Sequence, residues 1–123
     1  MNYYPLLVDG KEYRFRIRTR DHARLEKWIG GSVMEVLQNQ NSLLDFKTIA
    51  AFLAVGGGLD QSQAYDLIDE LVDSGKSLED LVNVVMEICE VSGFFPRGTV
   101  AQALQEQQQQ TPTAPVPEEQ ANP

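Results

Sequence analysis

The stretch 3-YYPLLVDGKEYRFRIRTR-20 decides how this chain folds. Two runs, residues 3–8 and 12–19, flank Asp9-Gly10-Lys11, and an Asp-Gly between apolar or alternating runs is a strong hairpin signal because glycine takes positive φ at no steric cost. The second run alternates strictly, with Tyr13, Phe15, Ile17 and Thr19 set between Arg14, Arg16, Arg18 and Arg20. A side-chain period of two sends Tyr13, Phe15 and Ile17 to one face and the arginines to the other. Pro5 cannot donate a ladder hydrogen bond, so the first strand should present that position to an open edge. A lone two-stranded hairpin is marginal in water, and its aromatic face therefore needs cover from the rest of the chain.

That cover is written as helices. Asp21 is placed to cap a short one carrying Leu25, Trp28 and Ile29, which Gly30-Gly31 stops. Ser32 and Glu35 have capping-box spacing and open a second short helix through about Leu37. After "QNQN", Ser42 with Asp45 opens a third, with Leu43, Phe46, Ile49, Ala50 and Leu53 as its apolar stripe; Gly56-Gly57-Gly58 ends it and reads as a hinge or linker. Asp60 with Gln63 starts the clearest amphipathic helix, in which Ala64, Leu67, Ile68, Leu71 and Val72 oppose Asp66, Asp69, Glu70 and Asp73. Ser77 with Asp80 opens a fifth helix, apolar on more than one face and suited to the centre of the bundle, which Gly93 closes.

The expected fold is therefore α+β, an N-terminal hairpin (3–19) packed on a bundle of about five mostly short helices (about 21–93). The domain spans 1–98. Residues 99–123 are Gln- and Pro-rich, with Val100, Ala103 and Leu104 as the anchors available, and read as a flexible, disordered tail with one transient helical turn or two.

With 123 residues and 42% apolar content, the chain supports one core. Its net charge of −8 is segregated: residues 1–29 hold seven Lys/Arg against four Asp/Glu, and residues 30–95 hold two against eleven. Such a balance disfavours nucleic acid and anionic membranes, except through the N-terminal segment. The single Cys89 can form no internal disulfide, "MNYYPLLVDG" lacks the basic start and apolar core of a secretion signal, and no apolar run approaches the roughly 20 residues that cross a bilayer. A reducing cytoplasm is the expected compartment.

A catalytic centre is hard to assemble. His22 sits among arginines beside a helix cap and reads as an exposed surface residue, and Cys89 as a small buried hydrophobe. One His and one Cys make no zinc set, the acids of the fourth helix follow a helix face and not a calcium loop, and the glycine run lacks the Lys-Ser/Thr of a phosphate loop. No enzyme, cofactor or metal is expected. Two features remain as candidate partner-binding sites. The row Arg14, Arg16, Arg18 and Arg20 is a solvated face, a docking face for an acidic protein surface, or, less well supported because the aromatics point away, a nucleic-acid face. The acidic partner is available in the chain itself: Asp66, Asp69, Glu70 and Asp73 can meet the row within one molecule, or head to tail between molecules. The second feature is Phe94-Phe95 in "GFFP", which either lids the hairpin or forms a sticky partner contact.

The segments "LLVDGKEYRFRIRTRDHARLEK" and "AYDLIDELVDSGKSLEDLVNVVMEICEVSGFF", followed by a variable tail, resemble the tail assembly chaperones of long-tailed, non-contractile bacteriophages of Gram-positive hosts. The resemblance covers residues 3–95. Its most specific parts are Asp9-Gly10-Lys11-Glu12-Tyr13, Tyr65-Asp66-Leu67-Ile68-Asp69-Glu70 and Glu90-Val91-Ser92-Gly93-Phe94-Phe95. It implies a non-enzymatic protein that coats the apolar tape measure protein before the tail tube polymerises, self-associates, works in the cytoplasm of the infected host and is absent from the mature virion. It also suggests contact with the tail tube protein as a role for the C-terminal tail. The alternative reading is a small nucleic-acid-binding regulator that uses the arginine face.

Overall fold

Asp9 and Gly10 both take positive φ, 50° and 79°, in a two-residue turn whose twist matches the strands it joins. The computed structural model, which describes residues 2–96 and 98–103, shows β1 (Tyr4–Val8) and β2 (Lys11–Phe15) paired antiparallel from Val8↔Lys11 to Tyr4↔Phe15. A two-residue turn makes Val8↔Lys11, and then every second pair, the hydrogen-bonded ones. Pro5, opposite Arg14, thus turns its nitrogen to the open edge, where a missing N–H breaks no ladder bond.

The second strand is shorter than the sequence suggests. Pairing ends at Phe15, and the extended chain then changes partners: the Arg16 N–H donates to the Gly56 carbonyl at 2.9 Å and the Ile17 N–H to Ser92 Oγ at 2.8 Å. Alternation survives the change, because Phe15 and Ile17 are buried while Arg14, Arg16, Arg18 and Arg20 stay exposed.

The helices α1 (His22–Ile29), α2 (Val33–Gln38), α3 (Phe46–Gly57), α4 (Gln61–Asp73) and α5 (Leu78–Val91) follow. Several starts differ from expectation. Asp21 does not cap α1; its carboxylate accepts the Arg18 N–H at 3.1 Å and closes a 3-10 turn over Thr19–Asp21. Ser32 makes no side-chain cap. Glu26 of α1 reaches across instead and accepts the Val33 N–H at 3.0 Å, satisfying one of the free donors at the start of α2. Ser42 lies in a 3-10 turn, Gln40–Leu43, and Asp45 itself caps α3 by accepting from Lys47 N and Thr48 Oγ1. One consequence is that Phe46 begins α3 on the exposed side, although Leu43 is buried.

The centre of the bundle is α3, not α5. Every residue from Ile49 to Gly56 is buried, and α3 packs on α1, α4, α5 and β2, whereas α5 buries one broad face through Leu81, Val82, Val84, Val85, Ile88 and Cys89. The glycine run is not a hinge. Gly56 and Gly57 form the last turn of α3, and Gly58 caps it at φ 68°. A Cβ on Gly57 lies 2.6 Å from Phe15 Cε1, so the absent side chain is what lets the hairpin's aromatic ring seat on the helix.

The caps of α4 and α5 match the sequence. Asp60 and Gln63 bond reciprocally at 2.7 and 2.9 Å, as do Ser77 and Asp80 at 3.2 and 2.9 Å. On α4, however, Val72 leaves the apolar stripe for solvent. After α5, the Gly93 N–H bonds to the Glu90 carbonyl and the Phe94 N–H to the Cys89 carbonyl, a Schellman turn that reverses the chain. The first residues of the expected tail, 99–103, fall among the described residues. Residues 99–103 are helical, Val100 is buried, and Glu90 accepts the N–H groups of Gly98 and Val100 at 3.2 and 2.9 Å. Residues 104–123, which carry the rest of that expectation, lie outside the described residues.

Two outcomes test this account. Gly57→Ala forces the Phe15 ring to move and should destabilise the domain by about 1–3 kcal/mol in chemical denaturation, whereas Gly31→Ala, with open space around its Cβ, should change stability little. Hydrogen bonds from the Ser77 backbone and side chain hold the Asp80 carboxyl below its ordinary range. A depressed folded-state pKa gives stability that is present above the unfolded value and lost as pH falls. Asp80→Asn should therefore lose less stability than the unaltered protein when denaturation is repeated from about pH 6 down to about pH 3.

Candidate functional site

The change of partner after Phe15 carries the arginine row off the sheet and across the C-terminal end of α3. Arg14, Arg16, Arg18 and Arg20, joined by Arg24 from α1, line a groove of about 520 Å³ floored by Val55, Gly56 and Gly58. A second hollow of about 490 Å³ continues along Arg16–Arg20 to Ser92. The placement is favourable in itself, because the last carbonyls of a helix carry partial negative charge. Asp21 is the one acidic residue lining the larger groove, and its carboxylate already accepts the Arg18 N–H.

Among the described residues the guanidinium groups of the row have few partners. Among the described residues the ion pair found is Arg14 Nε to Glu12 Oε2 at 3.6 Å, both side chains largely exposed, a geometry that contributes little. Arg14 also lies 5.0 Å from the centroid of the Tyr3 ring, and Tyr3 lines the groove. An aromatic thus stands on the basic side, which the alternation of Tyr13, Phe15 and Ile17 alone does not predict.

The acidic residues are elsewhere. Asp66, Asp69, Glu70 and Asp73 are exposed along α4. Asp66 and Glu70 border a hollow of about 340 Å³ with Lys11 and Tyr13, at the turn end of the hairpin. Lys11 Nζ stands 5.0 Å from the Tyr13 ring centroid. Among the described residues no ion pair joins the α4 acids to the arginine row. Two patches of opposite charge therefore lie apart on the described surface.

Phe94 and Phe95 are half-buried and pack against the core. The Schellman turn at Gly93 brings the Phe94 ring to 4.6 Å from the ring of His22. His22 is accordingly half-buried instead of exposed. Burial also pushes the Cys89 thiol far above its usual range and keeps it neutral. Among the described residues no cluster of three or more His, Cys, Asp or Glu side chains is placed to hold a metal ion, and no helix is long and apolar enough to cross a membrane.

One cluster escaped the sequence reading. Burial, then the charge of Glu87, raises the pKa of Tyr4; burial, then the charge of Glu90, raises that of Glu87. Glu90 meanwhile sits at the start of the helical residues 99–103. The sequence signal available was Gly98 before a helix-permissive run, but the distance in sequence between Glu90 and Val100 hides the pairing. Glu90→Ala should release this segment, raising the hydrogen-exchange rate of the Gly98 and Val100 amides about tenfold or more while leaving α3 amides protected.

Comparison with protein-family models, with curated proteins and with solved structures finds no match to this chain.

Proposed function

We propose that this chain is a non-enzymatic tail assembly chaperone of a long-tailed, non-contractile phage, which binds the tape measure protein and keeps it soluble in the host cytoplasm until the tail tube forms. What carries the reading is where the most specific parts of the resemblance fall. Asp9–Tyr13 makes the hairpin turn and the start of β2, Tyr65–Glu70 is the middle of α4, and Glu90–Phe95 ends α5 and folds back on α1. Two of these segments are chain reversals and the third is the amphipathic centre of α4.

The surface supports the same role. A client with apolar helix faces needs apolar contact and a charged carrier, and the chain exposes Leu7, Met34, Leu44, Phe46 and Val72 on a molecule of net charge −8. Weak copies arrayed along one long client bind strongly together and leave one at a time, as arriving tube subunits require. Co-expression with the phage's tape measure protein should shift that client into the soluble fraction in complex with the chain; an aggregated client beside free chain overturns the proposal.

Tyr3 beside Arg14 favours one rival, a nucleic-acid-binding regulator. Retention on single- and double-stranded DNA that falls steeply with salt supports it, and absence of binding at low salt removes it.

A further inference from the structure

We infer that the arginine groove is a docking site for the acidic face of α4 on a second copy of this chain. The inference goes beyond the chaperone proposal, because it stands on the charge and geometry of this surface and holds whatever the client is.

The two patches match in sign and span. Along the extended segment each residue advances about 3.3 Å, so Arg14 to Arg18 covers about 13 Å. Along α4 each residue advances about 1.5 Å, so Asp66 to Asp73 covers about 10 Å. Four carboxylates on one helix face thus fit against the arginines of the row, which point outward in the same register. The groove is open and shallow-floored, its base made of Val55 and the glycines of α3 without bulky side chains, so a helix's short acidic residues can enter it. Bidentate geometry makes guanidinium groups well suited to such carboxylates.

The chain does not make this contact internally. The α4 acids flank the turn end of the hairpin, with Lys11 near Asp66 and Glu70, while the row crosses the far side of β2 over the end of α3. Each copy therefore presents an exposed basic surface and an exposed acidic surface. Although two copies of charge −8 repel at long range, the Debye length at physiological salt is about 8 Å, so the facing patches dominate once in contact. Two copies can use the patches reciprocally, or a row of copies can use them in turn to build a ring or an open array. Both bring the same residues together.

The test is light scattering of the full chain alone across concentration and salt. At low salt the mass should rise with concentration above the monomer's 13.8 kDa and fall back as salt is added. Reversing the row (Arg14→Glu, Arg16→Glu, Arg18→Glu) should weaken association at least tenfold, and so should reversing the helix face (Asp66→Lys, Asp69→Lys, Glu70→Lys). The decisive sample combines both sets in one chain, which should associate again; an equimolar mixture of the two singly reversed chains should co-assemble. All six sites are exposed, and circular dichroism of each variant checks that it stays folded. A mass of 13.8 kDa at every concentration, an undiminished mass in either reversed variant, or no recovery in the combined variant overturns the inference. So does a monomer whose groove arginines retain DNA with a steep salt dependence, which assigns the groove to nucleic acid. A monomeric chain that still solubilises the tape measure protein would overturn this contact and leave the chaperone proposal standing.

Discussion

The architecture depends on the contact between Phe15 and the place where Gly57 has no side chain. A methyl group there would stand 2.6 Å from the ring, so the fit exists only with glycine. The neighbouring Arg16 N–H closes on the Gly56 carbonyl, and one residue further the Ile17 N–H is held by Ser92 Oγ, itself bonded to the Ile88 carbonyl. Three successive residues thus tie the hairpin to the ends of α3 and α5. Among the described residues the sheet has two strands, and such a sheet owes its stability to cover, here the most buried of the described helices.

This seating also sets the electrostatics of the surface. The strand's alternation persists beyond the sheet only because helix ends replace the missing strand partner; without them, nothing would hold Arg16, Arg18 and Arg20 on one side. They then line a groove at the C-terminal end of α3, where positive charge is favourable. The same arrangement separates them from α4, whose acids line the opposite flank near Lys11. A chain with uneven charge along its sequence becomes a folded surface with two unlike patches.

What the sequence disclosed follows the range of the forces involved. The hairpin turn, the capping boxes at Asp60–Gln63 and Ser77–Asp80 and the burial of Ala64, Leu67, Ile68 and Leu71 are set by neighbours a few residues apart, and those were legible. Glu26 capping α2, Glu90 holding Val100 and Ser92 bonding Ile17 are set by chain reversals, which no local pattern encodes. Glycine was misleading for a related reason. Three glycines in a row read as a break because propensity disfavours them in a helix, yet tertiary contact with Phe15 and Ile17 outweighs that cost at Gly56 and Gly57. For the candidate site, the row and the acidic face were legible as residues, but their failure to meet, and the arrival of Tyr3 and Arg24 at the groove, depend on the packing of α1 and β2 against α3.

The identity of the row is not explained by folding. The structural demands on positions 14, 16, 18 and 20 are modest: an exposed side chain and, at Arg16 and Arg18, a backbone N–H that any residue except proline supplies. Threonine, serine or lysine meets those demands, and β-branched residues suit extended backbone better. Proximity to the end of α3 favours positive charge, but its effect is confined to the last turn of the helix and is satisfied by one or two cations. Five arginines around one groove exceed that need. Like charges gathered around one groove repel, and an anionic surface seated there would relieve that repulsion. The groove is therefore better explained by the docking proposed above than by the fold that carries it.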